Sequence, residues 1–150
     1  RLLKHVYRRH NIICIHIDMK SSREIFEAIK SIVKCFDNIF ISTTLDYVVY
    51  ASSYVLKAQL NCMKDLLDLD NLINVRKHAN LKNKKLVKWK YVLNMASSEF
   101  PIRTNYELVR ILNMYNGSNE MEVIKNVSIK SRYKDSYVFH KFDDWPTNTR

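Results

Sequence analysis

A carboxylate and an ammonium group follow the first apolar segment of the chain. Residues 14–17 read Cys-Ile-His-Ile, and Asp18, Met19 and Lys20 come directly after them. In open α/β sheets ligands are held where strands end, so Asp18 and Lys20 are candidates for ligand contacts. The carboxylate could accept hydrogen bonds from ribose hydroxyls or a base N–H, and the lysine could offset phosphate charge. The alternative is an ordinary strand-end turn followed by a helix cap.

Further candidates for ligand contacts occur later in the chain. Tyr50 carries a ring that could stack on a flat ligand, although most tyrosines simply pack against the protein. Glu122, Lys130 and Arg132 are a carboxylate and two cations that could hold sugar hydroxyls. Taken alone they are a weak signal, since charged loops are common.

Other polar residues are predicted to be structural. His16 lies inside an apolar segment, where a lone histidine is more often a satisfied core residue than a catalyst. Asp65, Asp68 and Asp70 form an acidic run on a predicted helix, which we interpret as a solvated face rather than a metal site. No Cys-x-x-Cys pair or Cys/His cluster has zinc spacing, so no metal site is expected.

Glycine usage excludes several nucleotide-binding motifs. The chain has 1 glycine, Gly117, so neither a P-loop nor a G-x-G-x-x-G fingerprint can be present in its usual form. The G-x-S-x-G nucleophile elbow is excluded for the same reason.

The apolar pattern predicts alternating helices and strands. Predicted helices cover residues 2–9, a segment opened by the capping-box pattern of residues 21–24, residues 53–69, and a segment from Thr104 to a stop at Asn116-Gly117. Predicted strands cover residues 12–17, 39–41 and 89–95, and residues 47–50 are either a further strand or the edge of a loop. This alternation predicts an α/β fold with a mostly parallel sheet flanked by helices. In the helix over 53–69, the residues expected on the inner face are Leu56, Leu60, Met63 and Leu67.

The net charge of +10 is concentrated in one place. Seven of the 25 lysines and arginines lie in residues 71–90, a stretch without an acid. We interpret residues 71–88 as an inserted basic surface loop rather than a nucleic-acid-binding arm, and residues 143–150 as a loose end. Residues 1–150 are enough for one domain with a core.

The cysteines and possible glycosylation sites bear on the cellular compartment. In a cytosolic protein Cys14, Cys35 and Cys62 would be buried thiols. The sequons at Asn116 and Asn126 favour a secretory compartment over the cytosol. No apolar run approaches the roughly 18 residues that a membrane span needs. Because residue 1 is Arg rather than Met, we expect the chain to begin within a longer protein.

A set of short segments resembles the core 2 / I-branching N-acetylglucosaminyltransferases, in the glycosyltransferase family (family 14) that includes the peptide xylosyltransferases. Those segments are Leu2-Leu3-Lys4 with Tyr7, Cys14 to Asp18, Cys35 to Phe40, Val48 to Ser52, Leu60 to Leu66, Trp89 to Tyr91, Phe100 to Asn105 with Glu107, and Asn119 to Glu122. They follow the family's order from residue 2 to about residue 134. The cysteine spacing favours the branching enzymes over the xylosyltransferases.

The resemblance implies a fold and an activity. The fold would be of the glycosyltransferase A type, with a Rossmann-like sheet of which this chain is the N-terminal half. The enzyme would transfer N-acetylglucosamine from UDP-N-acetylglucosamine in β1,6 linkage, with inversion and without a metal cofactor. Its acceptor would be a glycoprotein mucin-type O-glycan or a related galactose-containing glycan. It would be a type II Golgi membrane protein with a lumenal catalytic domain and an anchor outside this chain.

The resemblance also implies roles for the candidate residues. Asp18, Met19, Lys20 and Tyr50 would line the uridine end of the donor site. The matches to acceptor-sugar contacts would be Glu122, Lys130 and Arg132, the last after a one-residue gap. By the same resemblance Cys14 and Cys62 would form a disulfide, and Cys35 would pair with a cysteine upstream of residue 1.

The chain also departs from the family pattern. Ser97, Ser98 and Glu99 stand where the family often has a glycine and an aspartate before Phe-Pro. A glycan on Asn126 would lie near Lys130 and obstruct the acceptor. The family's catalytic glutamate lies downstream, so we expect no catalytic residue in this chain and no transferase activity from these residues alone. The alternatives are a xylosyltransferase-like enzyme, a truncated non-catalytic remnant, and a basic nucleic-acid-binding module.

Overall fold

Two parallel strands joined by a helix form the centre of the computed structural model, which describes residues 2–69 and 89–120. Strand β1 (Ile13–Ile15) pairs in parallel with β2 (Ile39–Ile41), with Cys14 opposite Phe40. The intervening helix makes this a β-α-β unit, as parallel neighbours require. The predicted α/β class with parallel strands is therefore confirmed for this pair.

Four helices are described, and local capping sets where most of them begin and end. Their bounds are α1 (Leu2–Val6), α2 (Arg23–Lys34), α3 (Ser53–Leu67) and α4 (Asn105–Tyr115). The hydroxyls of Ser22, Ser52 and Thr104 each accept a hydrogen bond from a backbone N–H in the first turn of α2, α3 and α4. Helix α4 ends at Asn116 (φ 45°) and Gly117 (φ 91°), the left-handed stop predicted from the sequence.

The core lies where α2 packs against β2 and α3 packs against β1. Ile39 and Phe40 of β2 are completely buried. Phe40 and Leu69 form the centre of a cluster that also includes Ile12, Cys14 and Leu66. These elements all lie within one compact unit, Arg1–Gly117.

A disulfide fixes α3 to the sheet. It joins Cys14 on β1 to Cys62 on α3, with the two Cα atoms 5.7 Å apart. This is the pairing implied by the family resemblance. Cys35, just after α2, is free and exposed.

The predicted inner face of α3 is wrong for its three leucines, while Met63 is partly buried as expected. Leu56, Leu60 and Leu67 are at least half exposed, whereas Asp65 is the buried residue of the helix. The Asp65 carboxylate accepts hydrogen bonds from the Ser42 hydroxyl (2.8 Å) and from the Thr43 N–H (2.7 Å) and hydroxyl (2.6 Å). Asp65 therefore does not belong to a solvated acidic face, because its charge is satisfied inside the protein.

Residues 47–50 are not a strand, and residues 42–49 form an irregular segment, so the loop alternative holds here. The backbone of Val48 makes its hydrogen bonds to side chains instead of a strand partner. Its N–H donates to Asp18 Oδ1 at 3.3 Å, and its carbonyl accepts from Lys20 Nζ at 2.6 Å. At Val48, side chains of the turn after β1 thus take the place of a neighbouring strand.

The strand predicted at residues 89–95 is also absent. This segment is held at its side chains: Trp89 Nε1 donates to the Leu66 carbonyl at 3.4 Å, and the Tyr91 hydroxyl accepts from the Gly117 N–H at 2.6 Å. Residues 71–88 and 143–150 lie outside the described residues, so their predicted loop and loose end stay predictions. In the part of the chain that is described, no helix has both the length and the hydropathy needed to cross a membrane.

Removing the disulfide should destabilise the fold substantially. The two cysteines are 48 residues apart, and opening a loop of that size is expected to cost about 4 kcal/mol through the entropy of the unfolded chain. The double variant Cys14→Ala/Cys62→Ala should therefore lose about that much unfolding free energy in urea titrations.

The matched control is Cys35→Ala, which removes the free thiol. It should stay within about 0.5 kcal/mol of the parent chain. Alkylation of both Cys14 and Cys62 in folded protein made under oxidising conditions would contradict the assigned pairing.

Candidate functional site

Asp18 organises the turn that follows β1. Its Oδ1 atom accepts hydrogen bonds from the Lys20 N–H at 3.0 Å and from the Val48 N–H at 3.3 Å. Its carbonyl accepts from the Ser21 N–H at 2.9 Å. A single carboxylate oxygen thus joins the strand-end turn to the segment that leads to α3, and the second oxygen keeps acceptor capacity.

Lys20 closes the same contact from the other side. Its Nζ lies 3.3 Å from Asp18 Oδ2, donates to the Val48 carbonyl at 2.6 Å, and sits 5.5 Å from the centre of the Tyr47 ring. The side chain is half exposed, so one of its three N–H donors can still reach a ligand. Lys20 therefore holds this segment and also supplies positive charge. We call the contacts of Asp18 and Lys20 with Val48 the clamp.

The surroundings of Asp18 favour its ionised form. Burial acts to raise the pKa of Asp18, but the hydrogen bonds from the Lys20 and Val48 backbone and the Lys20 ammonium outweigh it. The net result is a pKa below the ordinary value of 3.8. Asp18 is thus a carboxylate acceptor at neutral pH.

Met19 and Tyr50 present exposed side chains beside this clamp. Met19 is 65% exposed, and Tyr50, two residues after Val48, is 92% exposed. Ala51 has a positive φ of 56°, an uncommon conformation for a residue with a side chain, and it turns the chain directly into α3. The Ser52 hydroxyl secures this turn by donating to the Val49 carbonyl at 2.7 Å.

The sequence-predicted donor-site residues are thus divided into two groups. Asp18 and Lys20 contact each other and the same residue, Val48, which brings their segment together with the one that carries Tyr50. Met19 lies in the turn after β1 and Tyr50 in the segment that leads to α3, and both side chains are exposed to solvent. The turn and its contacts with Val48 thus follow the carboxyl end of β1, and the exposed Tyr50 comes two residues after Val48.

Asp46 was not identified from the sequence. Its backbone N–H donates to Nε2 of His16 at 3.1 Å, and its side chain contacts Lys57 and Asn61 of α3. His16 is hydrogen bonded and mostly buried, as predicted for a structural histidine. A usable signal exists in the spacing of Lys57, Asn61 and Asp65, which places a polar side chain on one helix face every fourth residue.

Several predicted site residues are not part of this geometry. Glu122, Lys130, Arg132 and the sequon at Asn126 lie outside the described residues, and their roles stay predictions. Asn116 is exposed and serves as the cap of α4. Within residues 2–69 and 89–120, no group of three or more His, Cys, Asp or Glu side chains could hold a metal ion.

A separate cavity of about 310 Å³ lies between α1 and the turn before α4. Its lining comprises His5, Arg8 and residues 100–105. None of the donor-site candidates lines it, so it is distinct from the surface at the end of β1.

Comparison with known proteins gives a consistent family match. Residues 1–149 match the family described as Core-2/I-Branching enzyme. A zebrafish (Danio rerio) protein named beta-1,3-galactosyl-O-glycosyl-glycoprotein beta-1,6-N-acetylglucosaminyltransferase 4 is 36% identical over 99% of this chain and 32% of its own length. Proteins with the same enzyme name from cattle (Bos taurus, form 3) and bovine herpesvirus 4 are 43% and 42% identical over 91% of this chain and 28% of their own length. The chain thus spans about a third of the length of these relatives.

The pH dependence of Asp18 provides a test of the clamp. Because its folded pKa lies below its unfolded pKa, its interactions stabilise the fold fully above the unfolded value. That stabilisation is lost as pH falls through the folded value. Lys20→Met should raise the pKa of Asp18, since it removes the ammonium while leaving the residue-20 backbone N–H in place.

The measurement is a ¹³C NMR titration of the Asp18 carboxyl carbon. Lys30→Met is the control, because Lys30 pairs with Glu27 on the exposed side of α2. It should leave the Asp18 titration unchanged. An identical Asp18 titration in the parent chain and in Lys20→Met would contradict the clamp.

Proposed function

Because this chain belongs to the core-2/I-branching enzyme family, we propose that it is part of a β1,6-N-acetylglucosaminyltransferase acting on glycoprotein O-glycans. The proposed donor is UDP-N-acetylglucosamine and the proposed acceptor is a galactose-containing mucin-type core. Support for this chemistry comes from the names of the relatives, which describe transfer to a β1,3-galactosyl-O-glycosyl-glycoprotein. A Golgi location with a lumenal catalytic domain is part of the same proposal, as is a glycosyltransferase A-type sheet built around β1 and β2.

One observation carries the donor-site part of the proposal. The exposed Tyr50 comes two residues after Val48, and the ionised Asp18 and the clamp of Lys20 on Val48 follow the carboxyl end of a parallel strand. This is the edge at which open α/β sheets hold their ligands. A uridine offers groups that match it: a flat ring for Tyr50, and hydroxyl or N–H donors for the remaining acceptor capacity of Asp18 Oδ2, which also lies 3.3 Å from Lys20 Nζ.

Each residue then has a distinct task. Tyr50 stacks on the uracil ring, and Met19 supplies apolar surface beside it. Asp18 accepts a hydrogen bond from the base or ribose while its other oxygen holds the turn. Lys20 fixes the distance between the two segments and directs its remaining N–H toward the ligand.

The chemical step is assigned to residues beyond this donor surface. An inverting transfer requires a carboxylate that removes the proton from the acceptor hydroxyl as it attacks the sugar carbon. We place this base, and the basic groups that balance the diphosphate without a metal, in segments of the enzyme outside this chain. Glu122, Lys130 and Arg132 are the proposed contacts to the acceptor sugar.

Tyr50 gives the sharpest test of the donor site. Loss of a stacked ring typically costs about 1–3 kcal/mol, so Tyr50→Ala should weaken UDP binding by roughly 5- to 150-fold. Tyr50→Phe keeps the ring and should bind within about twofold of the parent protein. The measurement is calorimetric titration of UDP into the complete gene product.

The matched control is Tyr106→Ala on α4, since Tyr106 is also exposed, at 71%. It should not change UDP affinity. Equal affinity for UDP in Tyr50→Ala, Tyr106→Ala and the parent protein would remove Tyr50 from the site.

A further inference from the structure

The buried carboxylate of Asp46 bonds to two donors on α3. Asp46 is 8% exposed and lies in the segment between β2 and α3. Its Oδ1 is 2.9 Å from Lys57 Nζ, and its Oδ2 accepts from Asn61 Nδ2 at 2.5 Å. Lys57 and Asn61 are one helical turn apart, so both face the same carboxylate.

The backbone of Asp46 bonds to the end of β1 at the same time. Its N–H donates to His16 Nε2 at 3.1 Å, and its carbonyl accepts from the Met19 N–H at 3.1 Å. Met19 lies between Asp18 and Lys20. One residue therefore bonds to α3 through its side chain and to the donor-site turn through its peptide groups.

The two sets of bonds depend on each other because they share one residue. While the carboxylate is held by Lys57 and Asn61, the peptide of residue 46 cannot move away from Met19 and His16. The hydrogen bond to Asp46 is the main cause that raises the pKa of Lys57 above its ordinary value. The ion pair between Lys57 and Asp46 is therefore electrostatically favourable. A buried charge that loses one partner is costly, so a change at Asp46 should disturb the segment rather than be absorbed locally.

We propose that Asp46 is a positioning residue of the donor site, which holds the Asp18–Lys20 turn at the distance from α3 that UDP binding requires. It touches neither the ligand nor the reacting atoms. The inference rests on the proposed function for its ligand, and it adds a determinant that neither the comparisons nor the sequence patterns indicate.

The test exchanges the carboxylate of Asp46 and the amide of Asn61. Asp46→Asn places an amide against the Asn61 amide and removes the charge facing Lys57. Asn61→Asp, added to it, restores one carboxylate and one amide, and the new carboxylate is one helical turn from Lys57. Lys57→Gln is a milder variant that removes the charge and keeps an N–H donor.

Two readouts are measured in the complete gene product. The first is the Kd for UDP, expected to rise about tenfold in Asp46→Asn and to return to within about twofold of the parent in the double variant. The second is amide hydrogen exchange at Met19, expected to be about tenfold faster in Asp46→Asn and restored in the double variant. Exchange at Ile13, which donates to the Asn38 carbonyl in the sheet, should stay unchanged and serves as the internal control.

The possible results separate this inference from the proposed function. Unchanged Met19 exchange in both Asp46→Asn and Lys57→Gln overturns the positioning role. So does weakened UDP binding that the double variant fails to restore although it folds. If the parent protein does not bind UDP, the proposed function fails, and the Met19 exchange still decides whether Asp46 holds the turn. Should Asp46→Asn not fold, Lys57→Gln must show the same two changes to a smaller degree.

Discussion

The fixed rotation of α3 against β1 is the constraint on which the rest of the described structure depends. The Cys14–Cys62 disulfide sets which face of the helix meets the sheet. Beside Cys62, the residues Lys57, Asn61 and Asp65 recur every fourth residue, and their side chains bond to the segment between β2 and the helix. Asp65 bonds to Ser42 and Thr43, and Lys57 and Asn61 bond to Asp46. The inner face of α3 is thus polar where it meets this segment, and apolar where Leu66 meets Phe40.

This arrangement explains how an irregular segment can be ordered beside the proposed donor site. Residues 42–49 are not a strand in the described structure, and their order comes from single hydrogen bonds to β1, to the turn after it and to α3. Helix α3 holds the beginning of the segment through Asp65 and its middle through Asp46. Asp18 and Lys20 hold its end at Val48. Tyr50 follows immediately, and its position relative to the end of β1 is set by this series of contacts rather than by its own packing.

Local signals in the sequence were sufficient for much of the fold. The caps at Ser22 and Thr104 and the Asn116-Gly117 stop were predictable because they depend only on neighbouring residues. The apolar segments around β1 and β2 were likewise found from composition. Asp18 and Lys20 were found as a pair because they follow a strand directly.

The remaining features depend on partners far apart in the chain. Residues 47–50 have the apolar pattern of a strand, but the Val48 backbone bonds to side chains about 30 residues earlier. The inner face of α3 could not be read from its leucines, because a disulfide and a buried carboxylate decide its rotation. Asp46 was missed for the same reason: the spacing of Lys57, Asn61 and Asp65 marks a polar face on α3, but it does not say which distant acid that face will meet.

We propose that the end of β1 and Tyr50 form the uridine end of a donor site, and a crystal structure of the complete gene product with UDP is the decisive measurement. We expect uracil stacked on Tyr50, with Asp18 accepting a hydrogen bond from the base or ribose and Asp46 still bonded to Met19. Uridine bound away from both Asp18 and Tyr50, for example in the cavity beside residues 100–105, would contradict it.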